Sequence, residues 1–342
     1  MKTARGVGNV ELREVEVPTP LSDEVLVEVE AAGVCGSDMH IKHDSIFYSP
    51  PIILGHEYVG KVVETGDAIT NFHEGDRVVS PPRAHCGHCY QCMTGHVNRC
   101  IAAGQRILGF TANGAFAKYV TVPGYILHRV PPSVAVEEAT LAEPTACVVH
   151  AIVDNTLVRP GDVVVVLGPG PIGLLAIQIS KVMGAGKVIV TGVSSDSTRL
   201  GIATATGADL TINVETESDP AGLVKEHTDG VGADVVIDAS GAAAASSQAL
   251  EFVKVAGNVA LIGIIGRPTE INLDLIVEKE LKMSGTWGSI PSAWVTTLRL
   301  MDQNMIDVKP LITHRIGLGD WEQGFELLEA QQAVKVVFTG LD

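Results

Sequence analysis

The 342-residue sequence lacks any apolar run approaching the ~18 residues that a membrane-spanning helix needs. The stretch that follows Met1 and Lys2 also lacks the apolar core of a signal peptide, so a cytoplasmic chain is the expectation. Positive charge is scarce: 24 Lys and Arg stand against 40 Asp and Glu, a formal net charge of −16. Nucleic acid and anionic membranes are held by clustered basic side chains, so neither is expected as a partner. Cysteine is sparse and unevenly placed. Four of the six lie between Cys86 and Cys100, with Cys35 and Cys147 far away. Without a secretion signal, thiols this closely spaced point to metal rather than to disulfides.

What is present is ample apolar material. At 46% hydrophobic content the chain can bury two separate cores. From about Val163 to Ser284, short β-branched runs alternate with Ala- and Leu-rich helical stretches. The runs Val163–Leu167, Lys187–Thr191, Leu210–Ile212, Asp234–Asp238, Asn258–Ile262 and Leu281–Ser284 read as six parallel strands of a doubly wound α/β sheet. The first half differs. Glu24–Glu30, Tyr58–Glu64 and Ala115–Val122 alternate polar and apolar residues between Gly and Pro, which predicts a mostly antiparallel β domain. Two late helices, Ser292–Asn304 and Asp320–Glu329, and a strand at Val334–Phe338 are expected to pack back onto that domain. Ala242–Ala245 is read as the start of a helix.

The segment Gly168-Pro169-Gly170-Pro171-Ile172-Gly173 follows the first of the six strands and opens the helix Leu174–Met183. Its three glycines suit a tight turn, close approach of backbone to a pyrophosphate, and close helix packing, with the helix N-terminus facing the anion. An acid at the end of the second strand would bind the adenine ribose and exclude a 2′-phosphate. That position is about Gly192. Ser194, Ser195 and Arg199 follow, and together they favour NADP(H) over NAD(H). Asp196 is the competing feature, since a loop folded back could bring its carboxylate to the ribose.

Cys86, Cys89, Cys92 and Cys100 form a Cys-x2-Cys-x2-Cys-x7-Cys pattern among turn residues. Four thiolates from one short lobe can close a tetrahedral zinc site with no open position, and such a site is structural. An iron–sulfur cluster or redox dithiol is the rival reading. His85, His88 and His96 lie nearby but are not needed once four sulfurs are counted.

Elsewhere the chain reads Gly33-Val34-Cys35-Gly36-Ser37-Asp38-Met39-His40, then Gly55-His56-Glu57. Cysteine, histidine and carboxylate from separated segments match a zinc site that keeps one position open for substrate. In their order along the whole chain, these motifs resemble the zinc-containing medium-chain dehydrogenases. Leu141-Ala142-Glu143-Pro144, His56-Glu57, the segment Val308 to His314 and the segment Ala333 to Phe338 are similar to the polyol (sorbitol, iditol, xylitol) and threonine dehydrogenase branch.

The resemblance implies a GroES-like catalytic domain at about 1–152 and 291–342, with the structural zinc lobe at about 84–102, and a Rossmann domain at about 153–290. It implies two Zn2+ per chain. The catalytic ligands would be Cys35, His56 and either Glu143 or Glu57, with Asp38 orienting His56 and Cys147 a packed thiol. Zinc lowers the pKa of a bound oxygen acid such as water to about 7. The alcohol proton would then pass through Ser37 and the cofactor ribose to His40. The implied activity is reversible oxidation of a polyol secondary alcohol to a ketose, with threonine or another alcohol as the alternative substrate. Phe47, Tyr48, Phe110 and Trp287 are candidate pocket residues. A homodimer or homotetramer is implied by the same analogy. The reading from a different class is a non-catalytic cofactor-binding sensor or structural protein on the same scaffold, against which the joint presence of ligand, relay and glycine motifs counts.

Overall fold

The computed structural model describes residues 1–102 and 106–341. In chain order the strands are β1 (Glu24–Gly33), β2 (Glu57–Thr65), β3 (Arg77–Val79), β4 (Tyr119–Pro123), β5 (His128–Arg129), β6 (Val163–Leu167), β7 (Lys187–Gly192), β8 (Leu210–Asn213), β9 (Ala233–Asp238), β10 (Val253–Leu261), β11 (Lys282–Gly285), β12 (Ile312–Gly317) and β13 (Lys335–Thr339). The chain divides into two compact units. One comprises Met1–Glu143, Ser289–Asp302 and Ile312–Asp342; the other comprises Pro144–Gly288 and Gln303–Leu311. Among the described residues, no helix is long and apolar enough to cross a membrane.

The first unit is built on a sheet of order β12-β13-β1-β2-β3-β5, with β4 also paired to β1. Its pairings are antiparallel except for β12 with β13. The alternation in β1 buries Val25, Val27 and Val29 in a core shared with Val62, Val78, Val120 and Phe338. The expected strand at Ala115–Val122 begins only at Tyr119. The reason is that Ala115 and Phe116 donate their N–H groups to the carbonyls of Gly55 and Leu54, 2.9 Å away in each case. That detour fixes the backbone just before His56. β12 was not anticipated. Its sequence, Ile-Thr-His-Arg-Ile-Gly, is half polar and pairs only on one side, with β13.

The second unit is a six-stranded, all-parallel sheet of order β11-β10-β9-β6-β7-β8. The series doubles outward from β6, the doubly wound arrangement that the β-branched runs predict. β6 is Val-Val-Val-Val-Leu and its last four residues are fully buried, as a central strand covered on both faces requires. The helix after it spans Pro171–Val182, with Pro171 in its first turn, where the missing N–H costs nothing. The alanine run opens the helix Ala243–Phe252.

Candidate active site and metal centres

Cys35 caps the helix Gly36–Lys42. Asp38, with no exposed surface, ties this helix start to the second ligand segment: one carboxylate oxygen accepts the Cys35 N–H at 2.9 Å and the other accepts the Gly55 N–H at 3.2 Å. The two short motifs are thus brought together by a single buried side chain. Toward His56, which Asp38 is expected to orient, it makes an ion-pair contact rather than a hydrogen bond. Its Oδ1 lies 3.8 Å from His56 Nδ1, too far for a hydrogen bond, so it acts on the imidazole through charge.

Cys35, His56 and Glu57 each offer one ligand atom, all within 4.8 Å of one another. His56 and Glu57 are buried and Cys35 is half-buried. His56 Nδ1 and Glu57 Oε1 are buried with no hydrogen-bond partner among the described residues. Polar atoms buried without a partner are costly unless a complementary group reaches them. Burial opposes a charge on His56, but its bond to the Cys35 sulfur and the charges of Asp38, Cys35 and Glu143 outweigh this and raise its pKa to about 10. The cluster is therefore electronegative enough to bind a cation, and its sulfur, nitrogen and oxygen donors suit zinc.

Glu143 opens the helix Ala142–Val149 and is 8% exposed. Its charge acts on both His56 and Lys335, but the carboxylate that joins Cys35 and His56 within 4.8 Å is that of Glu57.

Lys335, which sequence reasoning missed, completes the centre. Its Nζ lies 2.6 Å from Glu57 Oε2 and 3.1 Å from the Val34 carbonyl oxygen, and the residue is 2% exposed. Burial lowers its pKa, yet the carboxylate of Glu57 and the charges of Cys35 and Glu143 outweigh this and leave it raised. The available signal was a lysine set inside the apolar run from Ala333 to Phe338. Gly33 makes room for the pair: a Cβ there would lie 2.6 Å from Glu57 Oε2.

Ser37 Oγ is 3.3 Å from His56 Nε2, at the edge of the cluster. His40 lies one turn further along the same helix, exposed, with Nδ1 3.1 Å from Ser45 Oγ. The Phe110 ring lies 5.1 Å from His56 and stacks on Phe47 at 5.4 Å. Tyr48 belongs to the core, 1% exposed and donating to Asp44 at 2.6 Å. Trp287 is an exposed residue of the second unit.

The four clustered cysteines form no disulfide. Their sulfurs lie within 4.8 Å of one another. The separations are 3.5 Å between Cys89 and Cys92, 3.8 Å between Cys89 and Cys100, and 3.6 Å between Cys86 and Cys100. Tetrahedral zinc with bonds of about 2.3 Å spaces its sulfurs about 3.8 Å apart, so the lobe is already of zinc size. Backbone N–H groups of Cys92 and Ile101 pull the Cys89 thiol down to about 6, which favours the thiolate a metal binds.

In the second unit, Gly168 adopts φ +89°, and a Cβ there would meet Ser240 at 2.8 Å. At Gly173 a Cβ would lie 1.9 Å from the Gly168 carbonyl oxygen. The turn and the helix are therefore packed backbone to backbone. Gly170 caps the helix, and Pro171 and Ile172 form its first turn. Gly192 ends β7, and Ser194, Ser195 and Asp196 form a short 3-10 turn. Asp196 does fold back, but onto its own loop: it accepts the Val193 N–H at 3.2 Å and lies 3.3 Å from Arg199 Nη1. Glu215, also unanticipated, accepts the Ser194 N–H at 2.9 Å.

This geometry has counterparts among known proteins. Residues 21–132 match the family model "Alcohol dehydrogenase GroES-like domain" and residues 171–303 match "Zinc-binding dehydrogenase". The chain belongs to the zinc-containing medium-chain dehydrogenases and is an NAD(P)-dependent alcohol dehydrogenase. Within that superfamily it falls in the polyol and threonine dehydrogenase branch. It is 38% identical to a sorbitol dehydrogenase of Halalkalibacterium halodurans, over 100% of this chain and 99% of that one. It is also 38% identical to an L-threonine 3-dehydrogenase of Pyrococcus horikoshii, over 99% and 97% of the two chains. A zinc-binding dehydrogenase from Sinorhizobium meliloti 1021, solved bound to NADP, shares the fold with a TM-score of 0.90 at 33% identity, covering 98% of this chain and 97% of that one.

Proposed function

We propose that the protein reversibly oxidises the secondary alcohol of a polyol to a ketose, using NADP(H) in preference to NAD(H) and two zinc ions per chain. The observation that carries the catalytic part is the trio of half-buried Cys35 with buried His56 and Glu57, in which Glu57 Oε1 has no hydrogen-bond partner among the described residues while Lys335 engages Oε2. Cys35, His56 and Glu57 would hold the catalytic ion, and Cys86, Cys89, Cys92 and Cys100 the structural one. Bound there, zinc supplies the Lewis acidity that makes an alcohol easier to deprotonate, and the nicotinamide accepts the hydride.

The chain's own residues do the rest. Lys335 holds the Glu57 carboxylate in place from behind. Asp38 and Glu143 keep the pocket negative without entering the trio. Ser37 would accept the alcohol proton while passing its own on by way of the cofactor ribose to His40, exposed on the same helix. Vicinal hydroxyls can bind one metal through two oxygens, which favours a polyol over a simple alcohol. In the second unit, Gly168, Gly170, Pro171, Ile172 and Gly173 would bind the pyrophosphate at the helix start. The absence of an acid at Gly192, with Ser194, Ser195 and Arg199 beyond it, supports NADP(H).

L-Threonine is the second substrate reading, favoured by the equal identity to the threonine enzyme. Steady-state rates on sorbitol, xylitol, threonine and short alcohols, each with NADP and NAD, separate the readings. The expected result is highest kcat/KM for a polyol with NADP. Turnover of threonine alone would replace polyol by amino alcohol, and no turnover of any alcohol would remove the proposal.

A further inference from the structure

The end of β7 and the end of β8 lie side by side. Gly192 is in register with Asn213, and the Val214 N–H reaches the Gly192 carbonyl at 3.0 Å, extending the pairing by one residue. Glu215 therefore leaves β8 directly beside the loop that carries Ser194, Ser195 and Arg199. Its carboxylate accepts the Ser194 N–H at 2.9 Å. The Ser194 hydroxyl also bonds it, and these two donors lower its pKa from the usual glutamate value. Asn213 braces the arrangement, donating to Ser194 Oγ at 3.1 Å and accepting the Glu215 N–H at 3.0 Å.

We infer that Glu215 is a specificity-determining residue that restrains binding of the 2′-phosphorylated dinucleotide by occupying the donors its phosphate would use. The inference rests on the reading of the Gly192–Arg199 segment as the adenosine-ribose site. A phosphate monoester and a carboxylate seek the same N–H and hydroxyl groups, and both are anions. Glu215 must leave Ser194, or be repelled at close range, before a 2′-phosphate can settle there. A ribose 2′-hydroxyl is neutral and can itself donate to a carboxylate, so the non-phosphorylated dinucleotide meets no such obstacle. The carboxylate absent from the end of the second strand is thus supplied from the end of the third. The preference for NADP(H) is a restrained one, set by Arg199 and the serines against Glu215.

The test uses the two nucleotide halves that lack nicotinamide, so that neither zinc nor turnover enters the readout. 2′,5′-ADP and 5′-AMP are titrated by calorimetry into the protein and into its Glu215→Gln and Arg199→Ala variants. Removing an exposed like charge at close range should tighten 2′,5′-ADP by about five- to tenfold in Glu215→Gln, while 5′-AMP binding does not improve. That result supports the inference whatever Arg199→Ala does. Unchanged or weaker 2′,5′-ADP binding in Glu215→Gln, with a loss in Arg199→Ala, overturns the inference and leaves the ribose-site reading standing. Wild-type binding of both nucleotides by both variants removes the reading and the inference together.

Discussion

Lys335 Nζ lies 2.6 Å from Glu57 Oε2, with the two side chains 3% and 1% exposed, and the residues are 278 positions apart in sequence. A buried ion pair adds little net stability compared with apolar packing, but removing one partner leaves the other charge buried and alone. Lys335→Met should therefore cost ~3–5 kcal/mol in urea unfolding. Coupling it to Glu57→Leu should recover part of that loss. A change within ~0.5 kcal/mol for Lys335→Met, the range of ordinary surface substitutions, would show that the pair does not hold the centre.

The pH dependence of the metal-free protein follows from His56. Its folded pKa of about 10 lies above its ordinary value of 6.5, so the folded state binds the proton more tightly than the unfolded one. The resulting stabilisation is complete below about pH 6.5 and is lost as pH rises through about 10. In chelator-treated protein the unfolding temperature should carry a component that declines across that window, and His56→Gln should remove it. Zinc competes with the same proton, so zinc affinity should rise with pH over the same range. An identical pH profile in the variant would contradict this assignment.

The cysteine lobe is expected to behave as a local unit. Cys100→Ser should lower zinc content from two per chain to one and raise hydrogen exchange within residues 86–100. Structural zinc sites contribute on the order of 10 kcal/mol of local folding free energy. Two zinc ions retained, with unchanged exchange, would mean that the four sulfurs do not share a metal.

The legibility of this protein in its sequence divides along physical lines. Parallel strands buried on both faces, such as Val163–Leu167, appear as unbroken β-branched runs, so the second unit could be outlined strand by strand. The two sets of candidate metal ligands stood out because a thiol cluster, and a cysteine with a His-Glu step, are chemically unusual together. What stayed hidden depends on long-range contact. β12 is an edge strand in which three consecutive polar residues, Thr313 to Arg315, mask the alternation, and Lys335 looks like a surface residue until Glu57 is placed opposite it. Ala115 and Phe116 alternate as a strand would, yet their N–H groups go to Leu54 and Gly55. Which carboxylate stands beside Cys35 and His56 could not be read from spacing either, because Glu57 and Glu143 are both acids near the right motifs.

The two glutamates should separate functionally. Glu143→Gln alters the field around His56 and should reduce kcat/KM by about 10–100-fold, the range for groups that act through a metal ligand. Glu57→Gln should lower zinc occupancy of the catalytic centre as well as activity. Loss of zinc in Glu143→Gln with full zinc in Glu57→Gln would exchange their roles.

At the cofactor turn, Gly173→Ala places a Cβ 1.9 Å from the Gly168 carbonyl oxygen. The turn must open, and both NADP and NAD should bind at least about tenfold more weakly, since the displaced backbone is the one proposed to cradle the pyrophosphate common to both. Wild-type affinity measured by fluorescence titration would place the dinucleotide elsewhere.

Anomalous diffraction at the zinc edge, from crystals of zinc-replete protein, decides whether the two ligand clusters hold metal. Two peaks per chain are expected, one among the sulfurs of Cys86, Cys89, Cys92 and Cys100 and one bonded to Cys35, His56 and Glu57. A single peak at the sulfur lobe, with Cys35, His56 and Glu57 metal-free, would contradict the proposed catalytic centre.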